Sequence, residues 1–492
     1  MRILYLDIDT LRADHLGCYG YHRKTSPNID KVAESGVRFE KCFASDAPCL
    51  PSRSSFFGGR FGIHSGVVNH GGLNADPYPE GKNRGFSDSP EFQSFVTTLK
   101  KSGLHTVSVS PFAERHASWW FYSGFKEMFN TGKHGSERAD EIYPYAEEWL
   151  NKNAETDNWF LHVNMWDPHT VYKTPKEFGN PFKNEPPPAW INEKIIKEHY
   201  EGYGPYSARD RNGFSGGVPK GPELLEMPNE IKSLEDYKQW IDGYDLGINY
   251  ADHYAGKIID LLKKHGVFED TVIMISSDHG ENQGEFNIYG DHQTADTITS
   301  RVPFILKWPG LLKPGVDKGL HYQVDIGATI LELLKLKVPA KWDGESFAGE
   351  LKKGKEYSRD FIVVSQCAWS CQRAVIFGDF LFMKTYHTGL KNFPEHMLFD
   401  FKKDPHLLKE ISKQNPQKSS EGLVKLTKWR EEMMRTSTSG VDPLDTVMEE
   451  GGPYHARGEI EAYCKRLSET GRKNHALTLK KFGGRPVDRQ VT

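Results

Sequence analysis

The sequence predicts an α/β protein built on a large, mostly parallel sheet. Two short apolar runs, Arg2–Ile8 and Thr271–Ser276, lack regular polar alternation, which is typical of strands buried on both faces. Longer segments with helical periodicity, such as Ala139–Asn153 and Leu234–Lys264, lie between runs of this kind. Strands that alternate with helices favour a parallel sheet flanked by helices.

Further segments continue this pattern. The additional predicted strands cover residues 106–110, 159–164 and 302–307, and the additional predicted helices cover 28–35, 91–102 and 324–336. Residues 173–232 interrupt the alternation because they are rich in proline and glycine, so we predict a long surface insertion there. Such an insertion either is a plain excursion or forms a wall of a substrate cleft, and the sequence leaves both alternatives open.

The sequence changes character after about residue 355. Short runs with strand propensity, which predict a small antiparallel sheet, cover residues 358–364, 374–377, 380–384 and 396–400. Residues 408–435 and 460–472 are predicted to be largely helical. We therefore expect an α/β domain at residues 1–357 and a C-terminal subdomain at 358–492. Residues 440–492 contain no assignable motif and either cap a site or form an oligomer contact.

Composition and charge exclude several classes of partner. The contents of 37% hydrophobic and 26% charged residues are ordinary for a globular protein. A net charge of −4 over 492 residues provides no electrostatic footprint for nucleic acid or an anionic membrane, so we expect neither partner. The six cysteines are too scattered for a disulfide framework. No secretory signal precedes the first strand and no apolar run reaches membrane-spanning length, so we expect a cytoplasmic protein.

Acidic residues follow two of the predicted strands. Asp7 and Asp9 are two residues apart, so the period of a strand points both side chains to one face. Asp278 and His279 follow the strand at 271–276, and open α/β sheets bind ligands at the carboxyl ends of their strands. Because buried carboxylates repel each other unless a cation lies between them, the sequence predicts a divalent metal site. From these residues alone Ca²⁺, Mg²⁺ and Mn²⁺ are equally reasonable, and an imidazole ligand favours a transition metal somewhat.

A second motif reads Cys-Leu-Pro-Ser-Arg at residues 49–53 and is followed by Gly59-Arg60. Arg53 lies one helical turn beyond Cys49, so both side chains are expected to face one cavity at a helix N-terminus, where backbone N–H groups favour an anion. With the acidic N-terminal strand and the Ser-Asp-His-Gly-Glu block at 277–281, in this order, the chain resembles the type I sulfatases of the alkaline phosphatase-like superfamily.

The resemblance implies both a fold and an activity. The expected fold has a large, mostly parallel central sheet flanked by helices and a smaller C-terminal domain with a short antiparallel sheet. The expected reaction is hydrolysis of sulfate esters, on a carbohydrate such as a glycosaminoglycan fragment. The family converts the motif cysteine, here Cys49, to formylglycine (3-oxoalanine) with a dedicated maturation enzyme, and the hydrated aldehyde is the nucleophile.

The resemblance also implies a ligand set for Ca²⁺, which is the ion expected for this family. The implied ligands are Asp7, Asp9, Cys49 after conversion, Asp278 and His279. Residues 9–12, Asp-Thr-Leu-Arg, resemble an Asp-Asp-Leu-Arg motif in which Thr10 replaces the second acid. Asp7 is expected to compensate because it shares the face of Asp9.

Further catalytic roles follow from the same resemblance. Arg53 is expected to fix the hydrated aldehyde, and His169 to bind sulfate or to protonate the leaving oxygen. His116 lies where the family usually has Gly-Lys-Trp-His, and His292 replaces a Gly-Lys pair, which indicates a subgroup. The candidate substrate-binding residues are Arg115, His70, Trp369, Arg373 and His387.

Two other functions stay open on the sequence alone. Phosphonate hydrolases and phosphate mono- or diester hydrolases of the same fold share the Cys-x-Pro-Ser-Arg motif and a similar metal site, so these motifs barely discriminate. The second alternative is a non-catalytic binding protein that keeps an unmodified Cys49. The sequence also leaves open whether the chain forms a homo-oligomer.

Overall fold

The structure is a computed structural model that describes residues 1–81, 89–211, 213 and 223–486. Its strands are β1 (Arg2–Ile8), β2 (Val37–Phe43), β3 (Asp46–Ala47), β4 (His105–Val109), β5 (Glu127–Phe129), β6 (Trp159–Met165), β7 (Thr271–Ser276), β8 (Asn282–Gln283), β9 (Tyr289–Asp291), β10 (Arg301–Lys307), β11 (Gly315–Tyr322), β12 (Phe361–Gln366), β13 (Cys371–Phe377), β14 (Phe380–His387) and β15 (His396–Asp400). Its α-helices are α1 (Pro27–Glu34), α2 (Cys49–Gly58), α3 (Gly62–Ser65), α4 (Phe95–Lys101), α5 (Phe112–Arg115), α6 (Ala139–Asn153), α7 (Glu193–Glu201), α8 (Leu234–Lys264), α9 (Thr297–Ser300), α10 (Gln323–Leu333), α11 (Ala348–Lys352), α12 (Pro416–Thr436), α13 (Pro443–Glu449), α14 (Ile460–Glu469) and α15 (Lys473–Phe482).

The main sheet of the described chain has eight strands in the order β11-β2-β10-β7-β1-β6-β4-β5. Strand β10 is antiparallel to both of its neighbours, and every other pairing in the sheet is parallel. Seven of the eight strands therefore run in one direction, and the predicted mostly parallel sheet is confirmed. The neighbouring strands β1 and β7 bring their carboxyl ends to the same edge of the sheet.

The side chains of β1 separate the two faces of this sheet. Leu4, Leu6 and Ile8 pack in a core with α1, α6 and α8, whereas Ile3 and Tyr5 pack in a second core with α2, α4 and α10. This alternation is the period of two that a buried strand imposes. Asp7 continues the row of Ile3 and Tyr5, so it lies on the side of the sheet that α2 covers.

The second sheet has the order β15-β14-β13-β12-β3 and packs against α12. Its first four strands are antiparallel, as predicted, but its edge strand β3 comes from the N-terminal part of the chain and is parallel to β12. Strand β3 ends two residues before α2 begins at Cys49. Both sheets therefore position the start of α2, and the division at residue 357 stays a prediction.

Most of the predicted elements are present, although several boundaries differ. The helix predicted at 91–102 begins at Phe95, and the helix predicted at 408–435 begins at Pro416. Strands β2 and β11 were not predicted, because charged residues interrupt their apolar pattern. The insertion at 173–232 contains the helix α7, and its residues 212 and 214–222 lie outside the described residues.

A search of the described residues finds no helix with the length and apolar character that crossing a membrane demands.

The insertion is anchored to the C-terminal helices through Asp210. This fully buried carboxylate accepts hydrogen bonds from Tyr463 Oη at 2.7 Å, from Arg466 Nε at 2.6 Å and from Arg472 Nη1 at 2.8 Å. These partners hold the pKa of Asp210 below its ordinary value although burial acts to raise it. The contact fixes α14 and α15 against the loop that follows α7.

We predict that Asp210→Asn lowers the free energy of unfolding by about 3 kcal/mol, because two arginines lose their counter-charge. The stabilisation by Asp210 is present above the ordinary aspartate pKa and is lost as the pH falls through the lowered one. Urea denaturation followed by circular dichroism measures the change. The control Asp260→Asn, on the exposed face of α8, is expected to change stability by less than about 0.5 kcal/mol. Equal effects of the two substitutions would show that the Asp210 contact contributes nothing specific.

Candidate active site

The predicted acidic residues and Cys49 converge at one edge of the main sheet. Asp7 lies in β1 and Asp9 directly follows that strand, while Asp278 and His279 follow the neighbouring strand β7. Cys49 is the first residue of α2 and is 1% exposed. The structure therefore brings together five residues that are up to 272 positions apart in the chain.

Arg53 is the central cation of this group. Its Nε and Nη2 donate to the two carboxylate oxygens of Asp7, at 2.8 and 3.0 Å. Its Nη1 donates to Asp9 Oδ2 at 2.9 Å and to Asp278 Oδ2 at 2.6 Å. One guanidinium thus binds three buried carboxylates, and it packs 4.9 Å from the ring centre of Phe112.

The pKa values within this cluster diverge. Burial acts to raise the pKa of Asp7, but Arg53 and the buried ring of His162, whose Nε2 lies 3.2 Å from Asp7, outweigh it and lower the pKa to about 2. Burial and the nearby charge of Asp278 raise the pKa of Asp9 well above its ordinary value. The negative charge of Asp7 is therefore compensated by its neighbours, whereas the negative charge of Asp9 is not.

Thr10 fixes the position of Asp278 through its backbone. It has a φ of 54°, a left-handed conformation that is rare for a β-branched residue. In this conformation its N–H donates to Asp278 Oδ1 at 3.2 Å and its carbonyl accepts from Tyr244 Oη at 2.7 Å. Thr10 thus contributes a backbone donor at the position where the related motif carries a second acid.

His279 directs one ring nitrogen at Cys49. Its Nδ1 lies 2.8 Å from the carbonyl oxygen of Gly280, so this nitrogen carries the hydrogen and Nε2 presents its lone pair. Nε2 lies 3.1 Å from Cys49 Sγ. Burial, with the charges of Asp9 and Asp278, raises the pKa of the Cys49 thiol well above its ordinary value. As an unmodified side chain Cys49 is therefore a neutral thiol and a poor nucleophile.

The residues present fit a divalent cation. Potential ligand atoms of Asp9, Cys49, Asp278 and His279 all lie within 4.8 Å of one another. Among the described residues, Asp9 Oδ1 is buried and has no hydrogen-bond partner. Three carboxylates and one guanidinium leave two negative charges, which one divalent cation neutralises, and carboxylate oxygens suit Ca²⁺, Mg²⁺ or Mn²⁺. Asp7 lies beside this group, but both of its oxygens are bound by Arg53.

Histidines form the opposite wall of the site. Ligand atoms of His70 and His116 lie within 4.8 Å of Cys49 Sγ, and those of His279 and His292 form a second such group with it. His169 stacks on Trp166 with ring centres 4.1 Å apart and lies 5.6 Å from the ring of His292. In the part of the chain that the structure describes, three buried ring nitrogens of this wall have no hydrogen-bond partner: His70 Nε2, His116 Nε2 and His292 Nδ1.

Burial makes these histidines weak bases. It lowers the pKa of His70, His116, His169 and His292 well below the ordinary value of histidine. The rings are therefore neutral at pH 7 in the absence of an anion. Unpaired buried nitrogens are costly, so these atoms indicate a polar ligand in the space beside Cys49.

The five predicted substrate-binding residues separate into two groups. His70 belongs to the wall, Arg115 stacks 4.1 Å over Trp166, and Trp369 stacks on His455 at 4.6 Å. Arg373, in strand β13 of the second sheet, instead forms a buried ion pair with Asp442 just before α13, at 2.6 and 2.7 Å. His387 accepts from the backbone N–H of Gly389, and it packs against Gly452 and Gly484. The structure does not bring these last two residues into contact with the cluster.

Two residues of the site were missed in the sequence. His162 is the single histidine in the mostly apolar strand β6, beside β1, and a titratable residue in a buried strand was the available signal. His455 lies between α13 and α14, and its Nε2 is 2.9 Å from His70 Nδ1. Its segment has no motif, so nothing in the sequence indicated this contact. The C-terminal segment thus reaches the site.

The chain belongs to the sulfatase family. The family model described as Sulfatase matches residues 2–336, about two thirds of the chain, which confirms the family predicted from the motifs. A second model, described as N-sulphoglucosamine sulphohydrolase, C-terminal, matches residues 284–433.

Curated relatives are distant and longer than the matched region. The chain is 24% identical to an arylsulfatase of Hemicentrotus pulcherrimus, over 70% of this chain and 61% of the relative. It is 27% identical to an iduronate 2-sulfatase of Mus musculus, over 64% of this chain and 60% of the relative. The chain therefore spans only about three fifths of the length of these two relatives.

Solved structures confirm the fold. One is described as a complex with its substrate D-glucosamine-2-N,6-O-disulfate, and it matches with a TM-score of 0.68 and 18% identity over 90% of this chain and 99% of the other. A phosphonate monoester hydrolase of Silicibacter pomeroyi matches with a TM-score of 0.65 and 18% identity over 90% of this chain and 96% of the other. The architecture is thus shared with the protein of the disulfated glucosamine complex and with the phosphonate monoester hydrolase.

We predict that Asp9→Asn raises the dissociation constant for Ca²⁺ or Mg²⁺ by at least about tenfold, because it removes a charged ligand oxygen. Isothermal titration calorimetry of each ion against the purified protein measures the change. Asp157→Asn, which alters an exposed aspartate near the amino end of β6, is the matched control and is expected to bind normally. Unchanged binding in Asp9→Asn would place the cation elsewhere.

Proposed function

We propose that this protein hydrolyses sulfate esters of a sulfated carbohydrate, such as a glycosaminoglycan-type oligosaccharide, and that Cys49 acts after conversion to formylglycine. The observation that carries the proposal is the position of Cys49. It starts α2 between a carboxylate group that requires a cation and a wall of buried ring nitrogens without partners. Family membership and the sulfatase names of the relatives support the same reaction.

The chain's own residues provide binding and proton transfer around position 49. A hydrated formylglycine at position 49 would supply the hydroxyl nucleophile, and a cation held by Asp9 and Asp278 would supply positive charge toward the sulfate oxygens. Arg53 holds the carboxylates in place and adds a fixed positive charge at the N-terminus of α2. The high thiol pKa of Cys49 disfavours a mechanism that uses the unmodified cysteine as nucleophile.

Histidines line the space beside Cys49 in which a sulfate group would bind, and His292 stands where the family commonly has a Gly-Lys pair. His116 and His292 have unpaired ring nitrogens in the site, where neutral imidazoles donate through one nitrogen. A bound sulfate ester places negative charge next to these rings and to His169, which raises their pKa values. His169 can then hold the proton that the leaving oxygen requires. A phosphonate ester has a similar tetrahedral anionic centre, so phosphonate hydrolysis is the second candidate.

We predict that Cys49→Ala reduces release of inorganic sulfate from sulfated saccharides by more than about a thousandfold, because the nucleophile is lost. A defined panel of sulfated saccharides, assayed by ion chromatography for sulfate, measures this, and phenyl phosphonate turnover is assayed in parallel. Cys18→Ala, which alters a partly buried cysteine near α1, is the matched control and is expected to retain activity.

The mass of the intact protein tests the modification separately. Conversion of the Cys49 thiol to the aldehyde lowers the mass by about 18 Da. The proposal expects this difference in the active protein and not in Cys49→Ala. An unchanged mass without bound metal would favour a binding protein, and faster phosphonate turnover would favour the second candidate. The maturation enzyme, the cytoplasmic location and the homo-oligomeric state stay predictions.

A further inference from the structure

Arg211 is a buried cation for which the described part of the chain provides no counter-ion. It lies in the insertion and is 2% exposed. Its Nη1 donates to the carbonyl oxygen of Tyr289, and its guanidinium carbon lies 3.4 Å from the ring centre of Trp240. Within the described ranges, its Nε and Nη2 have no hydrogen-bond partner and no carboxylate oxygen lies within 4 Å.

Two carboxylates whose charges act on Arg211, Asp291 and Glu281, are already engaged. Asp291 accepts from the backbone N–H of His292 at 2.7 Å and from Gln293 Nε2 at 3.0 Å. Glu281 accepts from Thr170 Oγ1 at 2.8 Å and from Tyr172 Oη at 3.0 Å. Among the described residues neither carboxylate pairs with Arg211, so two nitrogens of its guanidinium remain buried and unsatisfied, which is costly unless a polar ligand binds them.

Arg211 packs on the element that carries a site histidine. Strand β9, whose Tyr289 carbonyl accepts from Arg211, runs directly into His292. The loop that contains Arg211 also carries Tyr206, whose ring lies 5.6 Å from Trp369. Arg211 is buried to about the same extent as Cys49 and His292, which are 1% and 4% exposed.

A second buried basic residue, Lys391, also acts on the charge of Asp291. The Nζ of Lys391 donates to the carbonyl oxygen of Asn287 at 3.0 Å, and the residue is 6% exposed. Burial lowers the pKa of this ammonium to about 7. Lys391 therefore also lacks a direct carboxylate partner in the part of the chain that the structure describes, and an anion near it would stabilise its charged form.

We propose that Arg211, assisted by Lys391, binds a second anionic substituent of the saccharide, a sulfate or a carboxylate, beyond the sulfate ester at Cys49. The planar fork of a guanidinium suits either group because both offer paired oxygens. This inference rests on the proposed function, since the same molecule must place its reacting sulfate beside Cys49. It specifies the substrate as a saccharide with at least two negative charges.

Direct binding tests the proposal without turnover. In a Cys49→Ala background, calorimetry compares D-glucosamine-2-N,6-O-disulfate with D-glucosamine 6-O-sulfate, and iduronate 2-sulfate with its methyl ester. The first pair tests a second sulfate and the second pair tests a carboxylate. We expect the more highly charged member of at least one pair to bind at least about tenfold more tightly, and we expect Arg211→Gln to abolish that preference.

Controls separate recognition of the anion from structural effects. Arg209→Gln changes an arginine of the same loop that lies over Tyr200, and it is expected to keep the preference. Arg211→Lys is expected to restore part of it. If Arg211→Gln fails to fold, Lys391→Gln in the same assay is expected to reduce the preference.

Two results would overturn the inference. One is equal binding within both ligand pairs, and the other is a preference that survives in Arg211→Gln or, where that variant does not fold, in Lys391→Gln. Either result would leave Arg211 as a hydrated structural cation. A failure of the proposed function is a separate observation, because it appears as an absence of sulfate release from the unsubstituted protein.

Discussion

The arrangement of this site depends on one guanidinium that binds three buried carboxylates. Arg53 contacts Asp7, Asp9 and Asp278 at 2.6–3.0 Å, and each ion would be costly to bury alone. The pairing is incomplete, because three negative charges face one positive charge. Asp7 is satisfied by Arg53 and His162, whereas Asp9 retains a buried oxygen without a partner. The site therefore carries excess negative charge next to Cys49. This excess charge predicts that a cation binds there.

The fold holds this excess negative charge in place from several directions. Neighbouring strands of the main sheet position Asp7 and Asp278, and the second sheet contributes β3, which leads into α2 and Cys49. On the far side, the C-terminal segment brings His455 to His70, and Asp210 fixes the last two helices to the insertion. Because the insertion also carries Arg211, the elements that close the site are the ones that border the proposed site for a second anion. The residues proposed for catalysis are thus held by the two sheets and α2, whereas the residue proposed to select the substrate, Arg211, is held by the insertion.

Sequence reasoning identified the parts of this site that depend on local pattern. The apolar runs predicted β1 and β7 with their observed bounds. The spacing of Asp7 and Asp9, and that of Cys49 and Arg53, predicted that the members of each pair face the same way, and the resemblance to the family implied that the two pairs meet. Contacts that depend on tertiary packing could not be predicted from local sequence patterns. His455 reaches the site from a segment without a motif, and nothing local in the sequence indicates that Arg373 pairs with Asp442. A sequence pattern reports which face a strand presents, but not which distant loop covers that face.

The most direct test of the account is an experimental structure of the mature protein with its divalent cation and inorganic sulfate. The account predicts one cation bound by oxygens of Asp9 and Asp278 at about 2.0–2.6 Å, with residue 49 beside it and sulfate against the histidine wall. A cation bound away from Asp9, or an unmodified Cys49 in a protein that is fully active on sulfate esters, would contradict the account.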